Sequence, residues 1–157
     1  MSFMRIYDNK ETRKHFNIIR SGIEERLINM TQYFDFHPDE FNFRTDSVML
    51  NMSLETPLFN VIQGLELEVG IGVKICVNSL YRPPFSIVRG EIDYKDLTVT
   101  AQTSHYGGHS FDISWGMSLS KYKLTQAMLI KHLEANGFTR PFLNNTPSED
   151  WHWSYVG

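Results

Sequence analysis

Apolar side chains recur at gaps of three and four residues early in the chain, at Phe16, Ile19, Ile23, Leu27 and Met30, with lysines, arginines and glutamates between them. That spacing gathers the apolar groups on one face and predicts a helix over about 11–30. An aromatic, irregular connection follows, with Phe34, Phe36, Phe41 and Phe43 around His37-Pro38. A second stripe, Leu58, Ile62, Leu65 and Val69, predicts a helix that opens with Thr56 as N-cap and Pro57 at the first helical position, and stops at Gly70 and Gly72. Val73 to Val77 is a short β-branched run that predicts a buried strand. From Pro83 to Gln102 the pattern is mixed and reads as loops and short strands, Leu97 to Thr100 being the most β-favouring piece. Leu124, Ala127, Met128 and Leu133 predict a third helix over about 120–136, with Gly137 as its stop, and Trp151 to Val156 predicts a terminal strand. Helices and short strands thus intermix without a regular strand–helix repeat. The expected fold is α+β, not a doubly wound parallel sheet.

Composition narrows the class. The 157 residues are 41% hydrophobic and 21% charged, which suits one domain with its own core, and no repeat or linker-like tract divides them. A net charge of -3 argues against a nucleic-acid partner, whose phosphates would call for a concentrated basic surface. No run reaches the ~18 apolar residues of a membrane span, and the opening MSFMRIYDNKETRKHF lacks the apolar core of a signal peptide. The expectation is a monomer made in the cytoplasm, with no membrane insertion. Cys76 is the only cysteine, so an internal disulfide and a Cys-rich metal site are both ruled out. Within Val73-Lys74-Ile75-Cys76-Val77 it reads as a buried structural thiol.

Three segments hold the chemically unusual residues: Ser79-Leu80-Tyr81-Arg82, then Thr103-Ser104-His105-Tyr106-Gly107-Gly108-His109-Ser110-Phe111-Asp112, then Glu149-Asp150-Trp151-His152-Trp153. A catalytic zinc takes about three protein ligands and keeps a further position open. A glycine-bearing turn can fold His105 and Asp112 back onto one point, and His152 could join them from a neighbouring strand. Glu149, three residues before His152, is placed to act as a base, and Arg82 could hold a carboxylate or a developing oxyanion. Taken singly, each residue has a plainer reading: a loop histidine, a capping aspartate, a surface carboxylate, a salt-bridging arginine. The joint order is what raises the chemical one.

The second segment resembles S-x-H-x-x-G-x-A-x-D, a signature of the D-alanyl-D-alanine carboxypeptidase and L-alanyl-D-glutamate endopeptidase family of zinc peptidases. The third resembles that family's E-x-W-H, and Ser79-Leu80-Tyr81-Arg82 resembles its S-x-Y-R. All three occur in the family's order, over roughly residues 56–156. The resemblance implies Zn2+ held by His105, Asp112 and His152, with Glu149 as general base and Arg82 at the oxyanion and substrate carboxylate. It also implies substrate contacts at Trp151 and Tyr81, and a short, mostly antiparallel sheet flanked by helices with zinc in a cleft, as in the hedgehog and DD-peptidase fold. Residues 56–157 would be the catalytic core and 1–55 a variable helical part of the same domain. Thr103 and Ser110 depart from the signature's serine and alanine, Ser154 stands where relatives carry a carboxylate, and His109 falls at a variable position.

The substrate implied is the stem peptide of bacterial peptidoglycan. A catalytic domain without an export signal resembles phage endolysins, which collect in the cytoplasm and reach the wall on release, or travel in the particle. That favours an L-alanyl-D-glutamate endopeptidase over a D-alanyl-D-alanine carboxypeptidase. A wall-binding or virion structural module with zinc but no catalysis is the reading from another class. A fourth protein ligand, with His109 the one to watch, would favour it.

Overall fold

The computed structural model describes residues 21–38, 48–81 and 107–157 with their side chains, Lys14 and Ile18 within a helical stretch, and residues 3–5, 87–88, 91–92 and 98–100 by backbone alone. The strands in chain order are β1 (Phe3–Arg5), β2 (Leu27–Asn29), β3 (Phe34–Phe36), β4 (Met49–Asn51), β5 (Ile75–Ser79), β6 (Ile87–Val88), β7 (Glu91–Ile92), β8 (Thr98–Thr100), β9 (Ser110–Ile113), β10 (Phe138–Thr139) and β11 (His152–Tyr155). The helices are α1 (Glu55–Val69), α2 (Trp115–Tyr122) and α3 (Gln126–Ala135). A five-stranded sheet in the order β10-β11-β9-β5-β3 organises the fold, antiparallel throughout except for the β3–β5 pair. The α+β expectation holds, with a mixed sheet flanked by helices. Three two-stranded pairs, β1–β8, β2–β4 and β6–β7, lie outside that sheet.

Pairing registers divide the sheet into two unlike faces. Phe34, Ile75, Val77, Phe111, Ile113, Phe138 and Trp153 share one, and all are buried. Phe111 sits at its centre, its ring 5.1 Å from Phe34 and 5.6 Å from Phe138, distances at which tilted aromatic pairs attract. Leu58, Val61, Ile62 and Leu65 of α1, with Leu129 and Leu133 of α3, close over this face and complete the core. Each such side chain withdrawn from water contributes about 1.5–3 kcal/mol. The opposite face carries Asp35, Cys76, Ser79, Ser110, Asp112, His152 and Ser154, so the chain's unusual chemistry is gathered on the side away from the apolar core.

Several predicted boundaries are corrected. The early helix is helical at 21–24, but Leu27–Asn29 pairs with Met49–Asn51 as a strand, and Met30 is buried beyond it. Apolar gaps of three fit either state here, and pairing with a distant strand overrides the local period. The second helix starts at Glu55, not after Thr56. A short 3₁₀ turn, Met52–Leu54, leads into it, and the Asn51 side chain caps that turn by accepting from Ser53 N at 3.0 Å. Pro57 still falls in the first turn, where its missing N–H costs nothing, and Gly70 ends the helix at φ 113° as expected. The buried strand is displaced to Ile75–Ser79.

The third helix is two helices. Lys123 turns left-handed at φ 61°, and Thr125 then caps a fresh start by accepting from Met128 N at 3.2 Å. Gly137 and the terminal strand appear where expected. Phe34 to Phe36, read as irregular, is instead the strand paired with β5, while Phe41 and Phe43 lie outside the described residues.

The α1–α3 contact yields a test of packing. His132 lies over Gly64, where an added Cβ would come within 2.4 Å of Nδ1, and its Nε2 meets Glu68 Oε2 at 2.5 Å. Gly64→Ala alone should therefore fail to deliver the ~1 kcal/mol that alanine gives a helix interior. In a His132→Ala background it should deliver it. Urea unfolding of the four proteins measures the cycle; an equal effect of Gly64→Ala in both backgrounds would mean the close contact is absent.

Candidate functional site

The sheet topology builds the site. β9 and β11 pair so that His152 stands opposite Asp112 and Ser154 opposite Ser110. On the other side of β9, the register with β5 slips: Val77 faces Ile113, but Ser79, not Asn78, faces Asp112. Such a bulge sets two residues against one and re-aims the strand's end. Ser79, Asp112 and His152, one from each of the three segments singled out above, consequently lie side by side.

His152 and Asp112 are both buried, and Nδ1 lies 2.9 Å from Oδ1. The other ring nitrogen, Nε2, faces Ser154 Oγ at 3.4 Å, and that hydroxyl is 2.6 Å from Ser110 Oγ. The two departures from the family signature on these strands thus form a buried hydroxyl pair beside the imidazole. Phe142 stacks on His152 with ring centroids 4.8 Å apart. Its carbonyl accepts from Glu149 N at 3.1 Å, and Glu149 O accepts from His152 N at 3.2 Å. Phe142 therefore ties the turn carrying Glu149 to the imidazole. The sequence gave no cue to this, because Phe142 stands ten residues from His152 in an unpatterned loop.

Gly108 explains why a glycine occurs in the second segment. At φ 77° its carbonyl accepts from Asn51 N at 2.8 Å, and a Cβ there would lie 2.9 Å from that same nitrogen and 2.6 Å from Leu27 Cδ2. Only glycine permits this approach, which pins the segment against β2 and β4 just before β9 begins. His109 continues the β9–β11 register through Tyr155 N to His109 O at 2.9 Å, and strand alternation puts it with Phe111, not with Asp112. Burial lowers its pKa below the ordinary histidine value.

Of the other residues singled out, Tyr81 is buried with its N–H directed to Met49 O at 3.3 Å, and Trp151 is 37% exposed while its carbonyl accepts from Ile113 N at 2.9 Å. Asp150 Oδ1 accepts from Trp115 Nε1 at 3.3 Å, anchoring the same turn to α2. Arg82 and His105 lie outside the described residues.

The described part of the donor set fits a zinc ion. A buried carboxylate and imidazole with ligand atoms 2.9 Å apart are within reach of one ion at the ~2.0–2.2 Å bonds zinc makes. The second imidazole nitrogen, facing a hydroxyl, supplies the outer partner that fixes a ligating histidine. Among the described residues, a convergent group of three ligand-type side chains occurs elsewhere on this face: Asp35, His37 and Cys76, their ligand atoms all within 4.8 Å of one another. The parallel β3–β5 pairing sets Asp35 opposite Cys76. Burial alone would raise the Asp35 pKa, but bonds from Lys121 and Tyr122, with the charges of Lys121 and Lys74, hold it below the ordinary value. Burial and then the Asp35 charge push the Cys76 thiol up, and its predicted burial is observed. This cluster was not legible in the sequence, where 41 residues separate Asp35 from Cys76 and a pairing of distant strands unites them.

No family model matches the chain, and no curated protein or solved structure matches it.

Proposed function

We propose that this chain is a zinc-dependent peptidase acting on the stem peptide of bacterial peptidoglycan, with the L-alanyl-D-glutamate bond as its target and a phage-type endolysin as its biological setting. One observation carries the reading. Ser79, Asp112 and His152 belong to three segments far apart in sequence that each resemble a motif of one peptidase family, and they are neighbours on one buried polar face. In this reading the fold is the cleft-forming α+β domain of that family, and residues 56–157 are its catalytic core.

His105, Asp112 and His152 would hold the metal. Zinc, when bound, supplies Lewis acidity to a peptide carbonyl and lowers the pKa of water to about 7. The chain's own groups do the rest. Glu149, half-buried on the turn that Phe142 ties to His152, takes a proton from the attacking water and returns it to the leaving amine. Arg82 offers its guanidinium fork to a substrate carboxylate or to the developing oxyanion. Ser154 and Asp112 keep the His152 ring in one orientation. Trp151, partly exposed, and Tyr81, behind it in the wall, shape the approach for the stem peptide.

Digestion of purified peptidoglycan, with and without a chelator, tests the proposal when the released fragments are read by mass spectrometry. Chelator-sensitive cleavage leaving a new N-terminal D-glutamate is expected. Release of D-alanine alone would assign the carboxypeptidase reaction instead. No release from several wall chemistries by zinc-loaded protein would overturn the peptidase reading and leave a binding or structural module.

A further inference from the structure

We propose that Asp35, His37 and Cys76 form a second cation site, apart from the Asp112–His152 pair, that takes a transition-metal ion of the zinc class through one thiolate, one imidazole and one carboxylate. The backbone presets the three groups. Asp35 on β3 and Cys76 on β5 are direct partners in the parallel register, and His37 is fixed to the same strand by its N–H to Val77 O at 2.7 Å. Their ligand atoms lie within 4.8 Å of one another, a spread that small side-chain rotations would close.

Independent features favour a cation here over a plain polar cluster. Nε2 of His37 is buried without a hydrogen-bond partner, a condition that costs about 1–3 kcal/mol and that folded chains rarely leave uncompensated. The Asp35 carboxylate is already oriented: Lys121 Nζ at 2.8 Å and the Tyr122 hydroxyl both bind Oδ2, which leaves Oδ1 for a third partner. Outer bonds of this kind are what position a ligating carboxylate. The Cys76 backbone is held from α2, with Ser118 Oγ 3.1 Å from Cys76 N, so the thiol is carried on fixed main chain. The donor set of sulfur, nitrogen and oxygen suits zinc-class ions and disfavours magnesium and calcium, which take oxygen ligands. On binding, the thiol releases its proton to solvent and the sulfur lone pair enters the metal bond.

Cobalt(II) is the probe, because a sulfur–cobalt bond gives a near-ultraviolet charge-transfer band and Cys76 is the only thiol in the chain. Titration of the folded full-length protein should develop that band and saturate it at one ion per chain. His37→Ala and Asp35→Asn should each move the midpoint at least ~10-fold to higher cobalt, and Cys76→Ser, checked by circular dichroism for a native fold, should abolish the band. Cobalt uptake by wild-type protein without the band would overturn the proposal. A band whose midpoint is the same in His37→Ala and Asp35→Asn would overturn it too, since the thiol would then bind alone. Because the Asp112–His152 pair carries no sulfur, metal bound there leaves this band silent, and the two sites are read separately.

Discussion

Replacing His152 with alanine should cost about 3–5 kcal/mol of stability and strip zinc from the protein. Three contacts end together: the bond from Nδ1 to Asp112, the approach of Nε2 to Ser154, and the stacking of Phe142. They are not equal. A stacked ring pair is worth about 0.5–1.5 kcal/mol, whereas breaking a buried ionic pair by removing one partner typically costs about 3–5 kcal/mol, because the survivor keeps its desolvation without its compensation. Asp112 is only 6% exposed, so its carboxylate term decides the outcome. For a chain of this size the melting temperature should fall on the order of 10 °C. Asp112→Asn, which keeps the shape of the side chain and removes its charge, should cost less. Thermal melts paired with metal analysis check both effects; a His152→Ala protein that still holds zinc at full stoichiometry would remove this residue from the ligand set.

Glu149→Ala should do the reverse, leaving fold and metal intact while lowering kcat by roughly 10²–10⁴-fold, the usual contribution of a positioned acid–base group. The structural cost is small because what Glu149 gives the fold is main chain: its N–H to Phe142 O and its carbonyl to His152 N, both of which alanine retains. A half-buried side chain with no ion pair of its own changes stability within about ±0.5 kcal/mol. Steady-state hydrolysis of a stem-peptide substrate, run beside a melt and a zinc assay, separates the possibilities. Full turnover by the alanine variant would mean that another group serves as the base.

The parts of the molecule legible in the sequence are those whose signals are local. The stripe of α1 and its glycine stop could be read from spacing, as could the terminal strand and the buried thiol. Boundaries set by capping were readable only in part: Thr125 marks the start of α3, yet an apolar period running past it suggested one continuous helix. What escaped altogether was set at long range. The strand at Phe34–Phe36 exists through its pairing with β5, and the apolar gap that made Leu27 look helical gave way to a partner twenty-four residues on, at Asn51. The site divides in the same way. Spacing within each segment suggested Asp112, His152 and Glu149, but the slip that brings Ser79 to Asp112, the Phe142 tie and the Asp35–His37–Cys76 cluster depend on which strands meet.

The slip between Val77 and Ser79 also divides β5 into two regimes of mutational tolerance. Ahead of it, Ile75 and Val77 answer to volume, and any aliphatic residue of similar size should serve. Past it, Ser79 answers to the carboxylate at its side, and a swap that conserves size while discarding the hydroxyl falls on the chemistry of Asp112, not on the packing of the core. A single inserted residue thus lets one short strand carry stability along most of its length and reactivity at its tip, so the two properties can drift independently.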